Sequence, residues 1–553
     1  MANATATPAP KPEGMLGPLK FPTFRRIWSA SLLSNLGSLI QGVGAAWIMT
    51  QLTSKAGVVA LVQTAQMAPM LLLALPAGAI ADMYDRRRVA LVGLCIALTG
   101  ATSLAVLTFA GLVTPALLLS ACVVIGVGGS ILGPAWQASV GEQVPPEALP
   151  SAVALNSISY NIARSFGPAI GGVIVAAAGA AAAFATQAAF YLPLLYALFR
   201  WKRTQEAARL PPEGLGRAII SGVRYVFHSP PIRTVLVRTL ATGLIGAATS
   251  ALMPLIARDV LGGTAQTFGL LLGAFGVGAV TGALNITRLR HRFSAEHLVR
   301  GSTFVMGLGV AVVGFSTSLP VTAVALFVAG SGWMLSINEL NVAIQTSAPR
   351  WVTGRALATF QAAIAGGMAI GAWGWGQVAQ AQGVEMALRV SALGLLLLPL
   401  LGVGMRLADR GLTSGLAEPL ADPEVALALT HRSGPIRVEV EYKVDPADAR
   451  AFFVLIQQNR TVRQRTGGYD WSIARDVAQP ELWIESYSCP TWLDYLRQRD
   501  RATQAERDLQ DKIRAFHDHS VPVRVRRWLE RPFGSVRWHD SSPDRGSAGV
   551  APL

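Results

Sequence analysis

The 553 residues include 55 glycines, are 52% hydrophobic and only 14% charged, and have a mean hydropathy of +0.42. A chain of this length that is so apolar is not a soluble core protein. Its net charge of +15 would suit a nucleic-acid binder, but the excess Lys and Arg gather in alternate connections between apolar runs, the distribution that sets orientation in a membrane.

In chain order, residues 1–26 read as a short cytoplasmic tail that is Pro-rich, carries Lys11, Lys20, Arg25 and Arg26, and lacks the pattern of a cleavable signal peptide. Beyond it, short charged clusters separate apolar runs of roughly 18 to 25 residues, the length that crosses a hydrocarbon core of about 30 Å. These runs predict transmembrane helices at 27–50, 57–80, 89–110, 115–136, 152–177, 180–199, 234–256, 266–287, 297–317, 319–342, 356–379 and 387–405. They form two six-helix halves, 27–199 and 234–406, joined by a central cytoplasmic connection at 200–233. An even number of spans puts both ends on one side. That side carries Arg86, Arg87 and Arg88, eight Lys or Arg from Arg200 to Arg238, and then Arg288, Arg290, Arg292, Arg300, Arg350 and Arg355; the other carries Lys55, Arg258 and Arg389. The expectation is a multi-pass protein of the bacterial cytoplasmic membrane with both termini cytoplasmic. Of the three cysteines, Cys95 and Cys122 lie in apolar runs and Cys489 near the far end, without disulfide or metal-site spacing.

An internal repeat organises the halves. Gly78-Ala79 followed by Arg86 and Arg88 recurs as Gly282-Ala283 followed by Arg290 and Arg292, a displacement of 204 residues that also carries Pro145 onto Pro349, Ala152 onto Ala356, Gly167 onto Gly371 and Gly172 onto Gly376. Two pseudo-symmetric parallel repeats leave a substrate site at their interface. Ionisable residues break the symmetry, since Arg164 maps onto Met368 and Glu339 back onto Ala135. Arg164 lies about twelve residues into the fifth span, where a charge costs roughly 2.5 to 3.5 kcal/mol and has to face a cavity or a partner. Glu339, in Ser336-Ile-Asn338-Glu339-Leu-Asn341 near the cytoplasmic end of the tenth span, reads either as a titrating pathway group or as a solvated or paired carboxylate. Asn35, Gln41 and Asn338 read as polar lining of the pathway, with buried interhelical hydrogen bonds as the alternative for Asn35 and Gln41.

The loop Gly78-Ala-Ile-Ala-Asp82-Met-Tyr-Asp85-Arg86-Arg87-Arg88 resembles the loop 2–3 motif of the major facilitator superfamily, with Met83 and Asp85 departing from its usual basic residue and glycine. The glycine would let helices approach, the carboxylate would pair with arginines or a helix N-terminus, and the basic cluster would sit at lipid headgroups. Gly167-Pro168-Ala169-Ile170-Gly171-Gly172 resembles the end of the superfamily's antiporter motif, with Ala154 and Ala163 at its earlier glycine positions. Together with Pro349-Arg-Trp-Val-Thr-Gly354-Arg355-Ala356, these features are similar to the enterobactin-exporter-like branch, over roughly residues 18 to 410. That resemblance implies secondary active export of a siderophore, drug or other hydrophobic metabolite, with protons as the coupling ion. It also implies alternating access about a site lined by the first, fourth, seventh and tenth spans, with Gly78, Asp82, Arg86 and Arg87 in the gating motif and Gly167, Pro168, Gly171 and Gly172 packing the fifth span. No phosphate-binding loop occurs in the membrane part, so no nucleotide cofactor is expected.

After a linker at 407–434 the composition turns soluble. Ile436, Val438, Val440, Tyr442 and Val444 alternate with charged residues as a half-buried strand does. A helix from about Pro446, strands at Tyr469–Ile473 and Leu482–Tyr487, a broken helix opened by Thr491 and a strand at Val521–Val525 complete a ferredoxin-like α+β domain over 435–530, followed by a flexible tail at 531–553. Thr466-Gly-Gly-Tyr-Asp-Trp471 and Ser488-Cys-Pro-Thr-Trp492 resemble the extension fused to transporters of this branch, itself similar to dimeric α/β-barrel proteins that include antibiotic-biosynthesis monooxygenases. The resemblance implies a homodimer through this domain. It also opens an alternative in which Trp471, Trp492, Asn459 and His517 serve an oxygenase that modifies the exported compound, against their being core and surface residues. A membrane receptor that does not transport is the other alternative. With 16 Lys or Arg against 15 Asp or Glu from Pro435 to Glu530, the domain has no electrostatic footprint for nucleic acid.

Overall fold

In the computed structural model, residues 16–201, 215–349, 352–407 and 423–530 are described, except 424, 428, 431 and 501. Most of the N-terminal tail, much of the linker and the tail at 531–553 lie outside the described residues. The chain divides into two compact units, one of Met1–Leu215, Thr234–Val342 and Ala358–Leu407, the other of Gly216–Arg233, Ala343–Leu357 and Ala408–Leu553.

The membrane unit is helical. Its first half consists of α1 (Pro22–Leu52), α2 (Ala56–Met83), α3 (Arg86–Phe109), α4 (Pro115–Ser139) and α5 (Leu149–Arg200). Among the described residues, eleven helical stretches are long and apolar enough to cross a membrane. The fifth, 50 residues long, would extend about 75 Å if unbroken, but Gly179 takes φ 77° and ψ 171° inside it, a conformation that favours glycine. The two limbs of α5 are therefore separate crossings, which gives the predicted twelve. The central connection contains a helix of its own, α6 (Leu215–His228), and the second half then consists of α7 (Pro230–Leu255), α8 (Ala265–Arg292), α9 (Ala295–Phe315), α10 (Leu319–Ser347), α11 (Thr353–Gln382) and α12 (Val384–Leu397), with a short continuation in α13 (Leu401–Gly404). Side-chain oxygens begin several helices: Asp85 accepts from Arg88 N, Thr114 from Leu117 N and Ser294 from His297 N. Asp85, the departure from the loop motif, is thus the cap of α3.

Packing follows the repeat. A Cβ on Gly167 would lie 2.9 Å from Leu39 Cβ on α1, and one on its mate Gly371 would lie 2.9 Å from Ala247 Cβ on α7. Lipid tails give no hydrophobic drive between helices, so close backbone approach through small residues holds such contacts. Gly78 departs from the expectation of close approach. Among the described residues nothing lies within 4 Å of a Cβ there, whereas one on its mate Gly282 would meet Ser331 O at 2.7 Å.

The second unit carries a four-stranded antiparallel sheet of β1 (Ile436–Lys443), β2 (Tyr469–Arg475), β3 (Leu482–Cys489) and β4 (Arg524–Leu529), in the order β2-β3-β1-β4. With α14 (Ala449–Arg465), α15 (Trp492–Asp500) and α16 (Gln504–Arg514) it is the predicted β-α-β-β-α-β arrangement. Ile436, Val438, Val440 and Tyr442 are buried with Phe452, Ile456, Trp483 and Tyr487. The last strand begins at Arg524, later than the expected Val521. Pro522 has no N–H for a ladder, and Val521 N is taken by Asp518 O in a turn that Asp518 caps by accepting from Ser520. The opposite face of the sheet carries the ion pairs Arg437–Glu439 and Arg526–Glu441 beside the exposed Trp528, whose Nε1 donates to Glu439. Helix α6 belongs to this unit: Arg465 lies over the Tyr225 ring at 5.7 Å, and Arg224 Nη1 donates to Gly467 O at 3.4 Å.

Candidate transport pathway

The two halves touch through α5 with α8 and through α2 with α11. A Cβ on Gly172 would lie 2.8 Å from Gly269 Cα, and one on its repeat mate Gly376 would lie 3.1 Å from Gly57 Cα. Thr64 Oγ1 donates to Ala369 O at 2.8 Å, Gly57 N to Gln380 Oε1 at 3.3 Å, and Arg258 to Thr50 O. All of these residues sit in the parts of their helices remote from the side that carries the termini: Thr50 near the end of α1, Gly57 at the start of α2, Gly269 at the start of α8, and Gln380 near the end of α11.

Arg164 stands at mid-depth, eight residues or about 12 Å before the Gly172–Gly269 crossing on the termini side. At 100° per residue its direction falls between the stripe of Gly167 and Gly171, which meets α1, and that of Pro168 and Gly172, which meets α8. It is half-buried and makes no hydrogen bond or ion pair among the described residues.

The other predicted residues divide between pathway and scaffold. Gln41 is 3% exposed, and its Nε2 lies 3.9 Å from Cys122 Sγ on α4. Asn35 Nδ2 reaches Ser159 Oγ at 3.5 Å. Each thus reaches across to a neighbouring helix, Gln41 to α4 and Asn35 to α5. Asn338 is half-buried with no hydrogen bond among the described residues. Its neighbour Glu339 is 1% exposed and accepts from Arg290 Nε at 2.6 Å, so the carboxylate is paired. Arg290 is the repeat mate of Arg86, which donates through Nη1 to Glu142 Oε1 at 2.9 Å and to Ala138 O at 3.0 Å. Arg290 thus ties the end of α8 to α10, whereas Arg86 ties the start of α3 to the end of α4, and the two carboxylates occupy unrelated repeat positions. Arg87 donates Nε to Leu198 O at 2.9 Å and also bonds Phe199 O, closing α3 onto the end of α5. Asp82 lies near the end of α2 with its side chain outside the described residues.

One structural pair escaped the sequence reading. Arg238, 4% exposed, donates to Glu296 Oε2 at 2.5 Å, and Glu296 Oε2 also accepts from Leu407 N at 3.1 Å. Arg238 had been assigned to topology, and nothing in its spacing points to Glu296, 58 residues away.

In the second unit, the residues of the oxygenase alternative do not assemble. Trp471 Nε1 and Asn459 Nδ2 both donate to the fully buried Glu485 carboxylate, at 3.0 and 2.8 Å, beside Arg463 at 3.1 Å. Trp492 packs on Tyr495 at 5.3 Å, while His517 bonds Lys443 N and Val521 O at 2.9 and 2.7 Å.

Comparison with known proteins agrees with the geometry. The model of the transmembrane secretion effector family matches residues 13–533. The staphyloferrin A transporter of Staphylococcus aureus is 26% identical over 57% of this chain and 79% of its own length. The multidrug efflux pump Tap of Mycolicibacterium fortuitum is 26% identical over 70% and 96%, and the enterobactin exporter EntS of Salmonella choleraesuis 27% over 69% and 91%. Among solved structures, an inward-facing bacterial homologue of the human lysosomal transporter Spinster has a TM-score of 0.57 at 12% identity, over 69% of this chain and 95% of its own. A D-xylose–proton symporter has a TM-score of 0.57 at 13% identity, over 71% and 99%. At that identity the structural matches establish the fold, and the family model extends across the extension as well. The chain belongs to the transmembrane secretion effector family of major facilitator transporters, and is a multi-pass membrane exporter rather than an enzyme.

Proposed function

We propose that the chain exports a siderophore or other hydrophobic small molecule from the cytoplasm by alternating access, with both termini cytoplasmic and protons as the counter-ion. The observation that carries the reading is the half-buried Arg164 at mid-depth, on a face of α5 between α1 and α8 and on the termini side of the contacts between the halves. A guanidinium held there attracts the acidic or catecholic oxygens common in siderophores. The excess of Lys and Arg on that side argues for its being cytoplasmic, so that Arg164 would meet a substrate arriving from within before the contacts between the halves part. The names of the relatives, which include siderophore exporters and drug pumps, support the substrate class.

The test compares efflux by wild type, Arg164→Ala and Arg164→Lys at matched membrane abundance. The expected outcome is at least a tenfold loss in the alanine variant and partial retention in the lysine variant; unchanged efflux by Arg164→Ala refutes the role. Proton coupling is tested by efflux from vesicles with and without an imposed pH gradient, and indifference to the gradient overturns it. Self-association through the extension involves charged residues of the sheet such as Arg437, Glu439, Glu441 and Arg526 and weakens with salt; the mass of the detergent-solubilised protein at low and high ionic strength reads this out.

A further inference from the structure

Between the sheet and the helices of the second unit lies a cavity of about 110 Å³, whose lining includes Arg463, Arg499, Arg514 and Arg527 and, among the described residues, no carboxylate. These arginines give the space a positive lining. Arg463 is balanced from behind by Glu485, at 3.1 Å, and Arg514 reaches Asp511 at 3.8 Å. At the centre is Tyr495, 2% exposed, whose hydroxyl oxygen accepts from Arg527 Nε at 2.7 Å and from Arg499 Nη1 at 3.3 Å. Arginine has no acceptor to offer in return. The Tyr495 hydroxyl proton therefore has no acceptor among the described residues, although the ring is buried and lines the cavity. Tyr487, 3% exposed and also lining it, makes no hydroxyl hydrogen bond among the described residues either. Burial pushes its pKa up, so it stays a proton donor at neutral pH.

Two phenolic donors without acceptors, set among arginines, are complementary to an acceptor-only anion. We propose that this cavity binds a small oxyanion, a carboxylate or phosphate head group, gripped by Arg527 and Arg499 and by the hydroxyl protons of Tyr495 and Tyr487. The space is well below the roughly 300 to 1,000 Å³ of drug-sized sites, so the ligand is a small metabolite or the anionic end of a larger one, distinct from cargo in the membrane unit. An anion here would bind α15, α16 and β4 together, which makes the extension a ligand-responsive module of the transporter.

The experiment uses the full-length protein in detergent, titrated with inorganic phosphate or with malonate at constant ionic strength against chloride, and read by calorimetry and by thermal unfolding. Saturable binding of phosphate, malonate or both is expected, with affinity lowered at least tenfold in Tyr495→Phe and in Arg527→Gln and unchanged in Arg437→Gln on the opposite face of the sheet. Which anion binds identifies the head group. Should Tyr495→Phe fail to fold, as judged by its melting temperature, Tyr487→Phe takes its place with the same expectation. No response beyond that of chloride, or an equal response in wild type and the cavity variants, overturns the proposal.

Discussion

A disulfide between α5 and α8 should stop transport. A Cβ built on Gly273 lies 3.6 Å from Ala169 Cβ, within the roughly 3.5–4.5 Å that a disulfide spans, so Ala169→Cys with Gly273→Cys should cross-link under mild oxidation without rearrangement. The two positions flank the Gly172–Gly269 crossing, where a Cβ on either glycine would come within 2.8 Å of the other's Cα. If the halves alternate, this crossing has to open when substrate leaves, and a covalent bond prevents it. Efflux should fall below about a tenth of wild type, since the open state would have to break a covalent bond, and should return on reduction. Widening the crossing with Gly172→Val supplies the converse. Overpacking costs about 1–3 kcal/mol, which displaces the closed population by roughly 5- to 150-fold, and cross-linking should slow in proportion to the closed fraction lost. Native Cys95 is exposed and is replaced by serine first; Cys122 and Cys489 are buried. Complete cross-linking with undiminished efflux would refute alternation about this contact, and absence of cross-linking in cells would show that the resting protein does not close here.

Three further outcomes follow from the same chemistry. Glu485→Ala removes the carboxylate that Arg463, Asn459 and Trp471 share and leaves a largely buried guanidinium unmatched, so the extension should lose about 3–5 kcal/mol of stability; chemical unfolding followed by tryptophan fluorescence measures it, and a loss under about 1 kcal/mol contradicts the assignment. Glu339→Gln leaves Arg290 with solvent on one side, at 30% side-chain exposure, so a smaller destabilisation of about 1–2 kcal/mol is expected. If Glu339 carries the transported proton, the same variant should lose the dependence of efflux on a pH gradient. Burial pushes the Cys489 thiol up to about 12, so alkylating reagents at pH 8 should reach Cys489 only after unfolding. Because its folded-state pKa is raised, Cys489 contributes stability that is intact below the ordinary thiol pKa and is lost as pH rises from about 9 to 12; a melting temperature that does not fall over that window contradicts it.

The order of elements was already written in the sequence, because hydrocarbon thickness fixes the length of an apolar run and strand alternation fixes a face. Twelve crossings, the 204-residue repeat and the sheet of the extension follow from such local rules. Even the break at Gly179 lies between two predicted spans, although nothing local distinguishes a left-handed glycine from a helical one among 55. Partners are another matter. Arg164 and Glu339 look alike in sequence as lone ions in apolar helices, but Glu339 meets Arg290, 49 residues away, while Arg164 meets no partner among the described residues. Gly78 and Gly282 occupy equivalent repeat positions, yet Gly282 faces a neighbouring helix and Gly78 faces open space among the described residues. Trp471 and Asn459, set apart by sequence as possible catalytic groups, are tied to Glu485. Sequence alone determines which segments cross the membrane and which face of each strand is apolar, since both depend on residues adjacent in the chain. Which ions pair, which glycines pack and which hydroxyls are left facing a cavity depends on side chains brought together from distant helices and strands, and only the tertiary structure decides that.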